Sequence, residues 1–93
     1  MAAGYDPGMA SASPSPTPNP NALKFSLDTR LPQVMNIASA EAAAGNAFAE
    51  AVFAVEGVVQ VFGVNDFVTV TRRAGTDWDP IIDAVKQAAG KHL

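Results

Sequence analysis

The residues of this chain that could take part in chemistry are few and lie near its C-terminus. Asp77, Asp79 and Asp83 follow one another closely, and His92 is the single histidine. Carboxylates spaced in this way could bind a hard cation such as Mg²⁺ or Ca²⁺. The same residues open a predicted helix, where carboxylates cap free N–H groups and complement the helix dipole. We therefore interpret them as capping residues and assign no function to His92, which lies beside the chain end.

The chain lacks several residue types on which catalytic and metal sites depend. It contains no cysteine, so it has no thiolate nucleophile and no thiolate ligand for zinc or an iron–sulfur cluster. It also contains no glycine-rich phosphate-binding motif and no second histidine with which His92 could bind a metal ion. We therefore expect neither an enzyme activity nor a bound cofactor or metal ion.

Composition and charge argue against two classes of partner, nucleic acids and membranes. Six basic residues against nine acidic ones give a formal net charge of -3, whereas nucleic-acid binding requires a basic surface that neutralises phosphates. The sequence has no run of about 18 apolar residues and no N-terminal leader pattern, so it predicts neither a membrane span nor secretion. We expect a cytoplasmic protein whose partner is neither a nucleic acid nor a membrane.

The N-terminal segment differs in composition from the rest of the chain. Residues 1–16 consist largely of Ala, Ser, Pro and Gly, and such a segment cannot bury enough apolar surface to offset the entropy lost on ordering. We predict a disordered tail at residues 1–16 and one folded domain at residues 17–93. The alternative for the tail is a proline-rich ligand for a partner's groove, although the basic or bulky flanking residues of such ligands are missing.

Four segments of the predicted domain have strand patterns. Residues 22–28 alternate between apolar and polar, and residues 33–39 form a weaker strand pattern that we expect to pair with the first as a hairpin. Residues 58–62 and 67–72 are β-branched and aromatic runs. Residues 63–66 join them with a connection of hairpin length that contains Gly and Asn.

Two segments have the apolar periodicity of amphipathic helices. The first begins behind an N-cap at Asn46 and ends near Gly57, and the second is capped by Asp77 or Asp79 and ends near Gly90. Residues 40–44 are compatible with helix or loop. The order is β-β-α-β-β-α, which predicts a single α+β domain with a four-stranded, mostly antiparallel sheet and both helices on one face. The predicted helix stripes are Phe48, Ala51, Val52 and Val55, then Trp78, Ile81 or Ile82, Val85, and Ala88 or Ala89.

Helices on one face leave the other face of the sheet open. Because side chains alternate along a strand, Phe62 and Phe67 should lie together on that face, surrounded by polar residues. Aromatic side chains within a polar surround are typical of protein-binding patches. The alternative is that the two rings only close over the end of the hairpin as a small cluster. The predicted open face comprises Lys24, Ser26, Gln60, Phe62, Phe67, Thr69 and Thr71.

Four motifs follow one another along the predicted domain. They are TPNPNALKF before the first strand, VFAVEGVVQVF across the first helix-to-strand turn, DFVTVTR on the fourth strand, and Asp77-Trp78 at the start of the last helix. Together they resemble the N-terminal domain of the Nfu/NifU-type iron–sulfur cluster scaffold proteins, over residues 17–92. Where that family often has Ser-Pro at the start of the first helix, this chain has Asn46-Ala47, which keeps a capping residue.

The resemblance implies a function as well as a fold. In this family a separate domain with a Cys-X-X-Cys motif holds the cluster, and the N-terminal domain helps to recognise partner and client proteins. This sequence lacks the motif, so we expect a stand-alone, non-catalytic N-terminal domain that binds a cluster carrier or an apo-protein without holding a cluster. The alternative is a small structural or self-associating domain with no iron–sulfur role.

Asn19 and Asn21, each beside a proline in TPNPNALKF, have two interpretations. Their side chains could make hydrogen bonds inside a tight turn whose prolines restrict the backbone, and so fix the angle at which the first strand joins the sheet. They could instead contact a partner, and the resemblance fits both roles. We favour the structural role and keep both residues as candidates for binding, together with Lys24, Phe62, Phe67, Thr69 and Thr71.

Overall fold

The computed structural model describes residues 11–31 and 33–92. Within these ranges the elements are β1 Ala12–Pro16, β2 Ala22–Leu27, β3 Met35–Ile37, α1 Ala47–Phe53, β4 Val58–Val64, β5 Phe67–Arg72 and α2 Trp78–His92. The α+β class is confirmed, as is the placement of both helices on one face of an antiparallel sheet. Residues 1–10 of the predicted tail lie outside the described residues.

The described part of the chain has a five-stranded sheet rather than the predicted four-stranded one, in the order β1-β2-β5-β4-β3. The added strand, β1, lies in the segment that we expected to be a disordered tail, and that expectation is wrong for residues 12–16. Its prolines, Pro14 and Pro16, oppose Phe25 and Leu23 of β2. An edge strand accommodates proline because only one of its sides must supply backbone donors. A Ser-Pro repeat of low apolar content can therefore cover the edge of this sheet.

The predicted hairpin between residues 22–28 and 33–39 is wrong as well. β2 pairs with β1 and β5, whereas β3 pairs with β4 at the far edge of the sheet. The connection from β2 to β3 crosses the end of the β4–β5 hairpin. There the N–H of Leu27 donates to the carbonyl oxygen of Asp66 at 2.7 Å, and the N–H of Leu31 donates to that of Asn65 at 2.7 Å. β2 gains a longer partner in β5 than the three-residue β3 could supply.

β4 and β5 form the predicted hairpin with a shorter connection than expected. β4 continues to Val64, so that only Asn65 and Asp66 join the two strands. Asn65 has a φ of 55°, a left-handed conformation that asparagine tolerates and that tight two-residue hairpin turns require. The short turn keeps the two strands in register up to the pair Val64 and Phe67.

The core lies between the sheet and the helices. β2, β4, β5 and α2 contribute side chains at the spacing that their sequences predicted. The predictions missed Ala12 of β1 and Ala49 of α1, which are both buried, whereas Ala51 and Val55 of the predicted stripe are only partly buried. All these side chains form one apolar cluster. The largest fully buried members are Phe25, Val61, Val68 and Val70 from the sheet, Phe48 and Val52 from α1, and Ile81 and Val85 from α2.

The helix starts are as predicted, but α1 ends at Phe53 with Ala54 as its C-cap, four residues before the predicted end near Gly57. Asn46 caps α1, since its Oδ1 accepts a hydrogen bond from the N–H of Ala49 at 3.1 Å. Gly57 has a φ of 101° in the turn between α1 and β4, a conformation that favours glycine. Residues 40–44 form turns rather than a helix. The predicted end of α2 near Gly90 is wrong, because the helix continues to His92, held by the packing of Ala88 and Ala89 in the core.

Candidate protein-binding face of the sheet

The pairing register defines the face of the sheet that the helices leave uncovered, which we call the open face. One row of facing residues crosses all the strands from β3 to β1, and a second row crosses the strands from β4 to β1. A shorter third row lies toward the start of β4. The rows are Asn36, Phe62, Thr69, Lys24 and Ser15; then Val64, Phe67, Ser26 and Ser13; then Gln60, Thr71 and Ala22.

The register confirms that Phe62 and Phe67 share the open face. Phe62 faces Thr69 and Phe67 faces Val64, so the two phenylalanines are diagonal neighbours about 7–8 Å apart. Both side chains are half-buried, and neither is among the residues that form the core or pack against it. Phe62, Val64 and Phe67 therefore make an apolar centre on the outside of the sheet, which we call the apolar patch.

Polar groups surround the apolar patch. The ammonium of Lys24 lies 4.5 Å from the centroid of the Phe67 ring, a distance at which a cation is attracted to the face of an aromatic ring. On the other side, Nε2 of Gln60 donates to Oδ1 of Asn36 at 3.5 Å. Thr69 and Thr71 of β5 are half-buried and face Phe62 and Gln60 of β4. The predicted candidates Lys24, Phe62, Phe67, Thr69 and Thr71 are thus brought together on one surface; that they bind a partner stays a prediction.

Asn19 and Asn21 are not part of the open face. They lie in the turn between β1 and β2, at the opposite end of β2 from Phe67. Oδ1 of Asn19 accepts a hydrogen bond from the N–H of Asn21 at 2.9 Å, and Oγ1 of Thr17 accepts one from the N–H of Asn19 at 3.1 Å. These bonds satisfy groups inside the turn and support the structural interpretation of both asparagines.

Arg72 connects this turn to α2, and the sequence analysis missed it. Its Nε donates to Oδ1 of Asn21 at 3.3 Å, and its guanidinium also donates to the carbonyl oxygens of Pro20 and Thr76. The guanidinium carbon lies 4.8 Å from the ring centroid of Trp78, close enough for a cation–π contact. An arginine six residues before a tryptophan is too weak a signal to identify such a link from the sequence.

A second unpredicted contact holds the start of β1. The carboxylate of Asp28 accepts hydrogen bonds from the backbone N–H of Ser11 at 2.8 Å and from its hydroxyl at 2.9 Å. The backbone bond from Ser11, followed by the hydroxyl bond, lowers the pKa of Asp28 below its ordinary value, because both bonds favour the charged carboxylate. This contact ties the edge strand to the chain just beyond β2.

Asp77, one of the residues first considered for chemistry, has the structural role of a helix cap. Oδ1 of Asp77 accepts a hydrogen bond from the N–H of Asp79 at 3.2 Å at the start of α2, as expected of a cap. In residues 11–31 and 33–92, no group of three His, Asp or Glu side chains is placed to hold a metal ion. His92 borders an open cleft of about 460 Å³ that is also lined by Gln33, Met35 and Phe48.

The sequence and this architecture match one protein family. Residues 13–93 match the family described as the N-terminal part of the Nfu/NifU scaffold proteins. The chain belongs to this family. The match begins inside β1, so this Nfu/NifU N-terminal domain includes most of the strand that we had expected to be part of the tail.

Solved structures share the fold of this Nfu/NifU N-terminal domain. The crystal structure of protein SAV1430 from Staphylococcus aureus is similar with a TM-score of 0.71 and 26% identity, over 84% of this chain and 96% of that chain. A solution structure of a Staphylococcus epidermidis protein has a TM-score of 0.57 and 24% identity, over 81% of this chain and 88% of that one. At that identity the second likeness shows the fold alone.

A plant protein is similar to part of the chain. The chain is 45% identical over 51 residues to the NifU-like protein 5, mitochondrial, of Arabidopsis thaliana, a match that covers 50% of this chain and 18% of that protein. This Nfu/NifU N-terminal domain thus spans less than a fifth of the length of that relative. The relative is named mitochondrial, so the cytoplasmic location of this chain stays a prediction. Neither helix in the described ranges is long and apolar enough to cross a membrane.

Proposed function

We propose that this domain is a non-catalytic docking module of iron–sulfur cluster assembly. It binds cluster carriers or apo-proteins that receive a cluster, and it holds no cluster through thiolates of its own, because its sequence contains no cysteine. Membership of the Nfu/NifU N-terminal family supports the link to cluster assembly. The carrier would supply the Cys-X-X-Cys motif that holds the cluster.

The open face is the observation that carries this proposal. It presents an apolar patch of Phe62, Val64 and Phe67 that the core does not use, with Lys24, Gln60 and Thr69 around it. An interface needs a desolvated aromatic centre and a polar rim, and the open face supplies both.

The proposal is tested by binding to a purified cluster carrier with a Cys-X-X-Cys domain, in its apo and cluster-loaded forms. We expect the chain to bind at least one of the two in isothermal titration calorimetry. The double substitution Phe62→Ser and Phe67→Ser should weaken that binding at least about tenfold, because it removes the aromatic centre of the interface. Both residues lie outside the core, so circular dichroism should show the same fold.

A matched control separates the patch from apolar surface in general. Ile82 is half-buried like the two phenylalanines but lies on α2, which covers the opposite face of the sheet. Ile82→Ser should leave carrier binding unchanged as long as circular dichroism shows the same fold. If the double variant binds the carrier as tightly as the original chain, the open face is not the docking site. If the original chain binds neither the carrier nor an apo-protein client, the proposed function is wrong.

Self-association is the second candidate function, because the same apolar patch could pack against a second copy. Pairing through the sheet edges is disfavoured, since β1 carries Pro14 and Pro16 and β3 has only three residues. A face-to-face dimer therefore remains. Sedimentation velocity at high protein concentration tests it: a monomer that still binds the carrier excludes this function, whereas a dimer that the Phe62→Ser, Phe67→Ser substitutions dissociate supports it.

A further inference from the structure

The two sides of the sheet differ in charge. By register, Lys24 is the only ionisable residue on the open face of the described chain, and no carboxylate lies there. The helix side of the sheet and the turns beside it carry six carboxylates, Glu41, Glu50, Glu56, Asp77, Asp79 and Asp83, against four cations, Arg72, Arg73, Lys86 and Lys91. That side is therefore net negative, whereas the open face by register carries the positive charge of Lys24.

Lys24 is placed to interact with whatever covers the apolar patch. Its side chain is exposed, and its ammonium lies 4.5 Å from the centroid of the Phe67 ring. The two carboxylates nearest to the patch along the chain, Asp28 and Asp66, lie beyond the ends of β2 and β4, and that of Asp28 is already bonded to Ser11. Arg30 lines the same cleft as these two carboxylates, so the charge that attracts an acidic group of a partner to the patch itself is that of Lys24.

We propose that the segment bound by the open face is an acidic amphipathic helix of the partner. Its apolar stripe covers Phe62, Val64 and Phe67, and a Glu or Asp one turn along the helix pairs with Lys24. This inference rests on the proposed function, because it specifies the partner chemistry of the same surface. It goes beyond that function by stating the charge and the secondary structure that the surface selects.

The preference for a helix follows from the sheet. An added strand would need an accessible edge, and the edges of this sheet are a proline-containing strand and a three-residue strand. The face itself is broad enough for helices, since the opposite face of the same sheet packs against α1 and α2. Helix residues one turn apart are separated by about 5–6 Å, which suits an apolar side chain on Phe67 and a carboxylate at Lys24.

The test compares two synthetic helical peptides of 18 residues. They share one leucine stripe, and glutamates flank the stripe in the first peptide where lysines flank it in the second. Each is titrated into the ¹⁵N-labelled chain, and the amide signals are followed by NMR. We expect the glutamate peptide to bind about tenfold more tightly at low salt and to shift signals of β2, β4 and β5. The net charge of the chain alone predicts the opposite preference, so the two explanations are distinguishable.

Two charge reversals make the test specific. Lys24→Glu should remove the preference for the glutamate peptide or reverse it. Lys86→Glu changes the net charge equally at an exposed position of α2, and should leave the preference intact. Equal binding of both peptides, tighter binding of the lysine peptide, binding of neither, or shifts centred on α1 and α2 would each overturn the inference.

The carrier experiment separates failure of the inference from failure of the proposed function. If the Cys-X-X-Cys carrier binds through Phe62 and Phe67 but Lys24→Glu binds it equally well, the docking function stands and the acidic-helix inference is wrong. If the peptide preference holds while no carrier or apo-protein client binds, the charge selectivity of the face stands and the iron–sulfur function is wrong.

Discussion

The two faces of this sheet are built from alternate residues of the same strands but differ in what they contribute. On the helix side, Phe25, Val61, Val68 and Val70 have no exposed surface. On the open face, the neighbours Phe62 and Phe67 are large aromatic residues that remain half-buried and take no part in the core. A change on the first face should therefore affect folding, and a change on the second should affect binding.

The comparison shows why a small domain can expose aromatic residues without losing its fold. The core between the sheet and the helices is formed by side chains from all five strands and both helices, and it includes no residue of the apolar patch. The residues of the open face are thus available for another use. Those nearest the hairpin end are apolar and those further along are polar, which gives the face a centre and a rim.

The largest expected effect comes from testing the two faces directly. Phe25→Ala should destabilise the fold by about 3–5 kcal/mol, because it leaves a cavity where a fully buried ring packs between sheet and helices. Phe67→Ala, the same change on the open face, should cost about 1 kcal/mol or less, in the range of surface substitutions. Urea unfolding followed by circular dichroism measures both. Similar losses of stability in the two variants would contradict the division between the faces.

The helix side was more predictable from the sequence than the sheet order. Apolar spacing identified the buried faces of α1 and α2, and Asn46 and Asp77 could be identified as caps, because these signals are local. Alternation also placed Phe62 and Phe67 on one face. β1 was missed because its Ser-Pro composition is typical of unstructured chains, and its pairing with β2 depends on contacts rather than on its own propensity.

The same limit explains the contacts that the sequence analysis missed. The bond between Ser11 and Asp28 joins residues 17 positions apart, and that between Asn21 and Arg72 joins residues 51 positions apart. Neither pair has a recognisable spacing. The hairpin between β2 and β3 was predicted from their proximity in sequence, yet β2 pairs with β5 from the other end of the domain. Pairing between distant segments is decided by packing, which a single sequence reports only weakly.

A smaller effect is expected at the end of the sheet away from the apolar patch. Arg72→Ala removes hydrogen bonds to Asn21, Pro20 and Thr76 and the contact with the Trp78 ring. Since bonds from a charged donor contribute about 1.5–3 kcal/mol where they are well formed, and Arg72 is only partly buried, we expect a loss of about 2 kcal/mol in urea unfolding.

The neighbouring Arg73 provides the control for this prediction. Its side chain is exposed, so Arg73→Ala should change the stability by less than about 0.5 kcal/mol. Both variants should bind the cluster carrier as the original chain does, because neither side chain lies on the open face. A weakened carrier complex in the Arg72→Ala variant with an unchanged fold would extend the binding surface to this end of the domain, and would weaken the contrast between the two faces.

The smallest effect should be confined to β1 and should depend on pH. The pKa of Asp28 is lowered in the folded protein by its bonds to Ser11, so those bonds stabilise the fold at pH values above the unfolded pKa of about 3.9. Their contribution is lost as the pH falls through the folded pKa. Amide hydrogen exchange in β1 should therefore be faster in the Asp28→Asn variant than in the original chain at pH 6, and the two rates should converge toward pH 2 after correction for intrinsic exchange. Asp83→Asn on α2, an exposed acid far from β1, should leave the exchange of β1 unchanged. Equal protection of β1 in the Asp28→Asn variant and the original chain at pH 6 would contradict this prediction. It would mean that the backbone pairing of β1 with β2 holds the edge strand without the hydrogen bonds between Asp28 and Ser11.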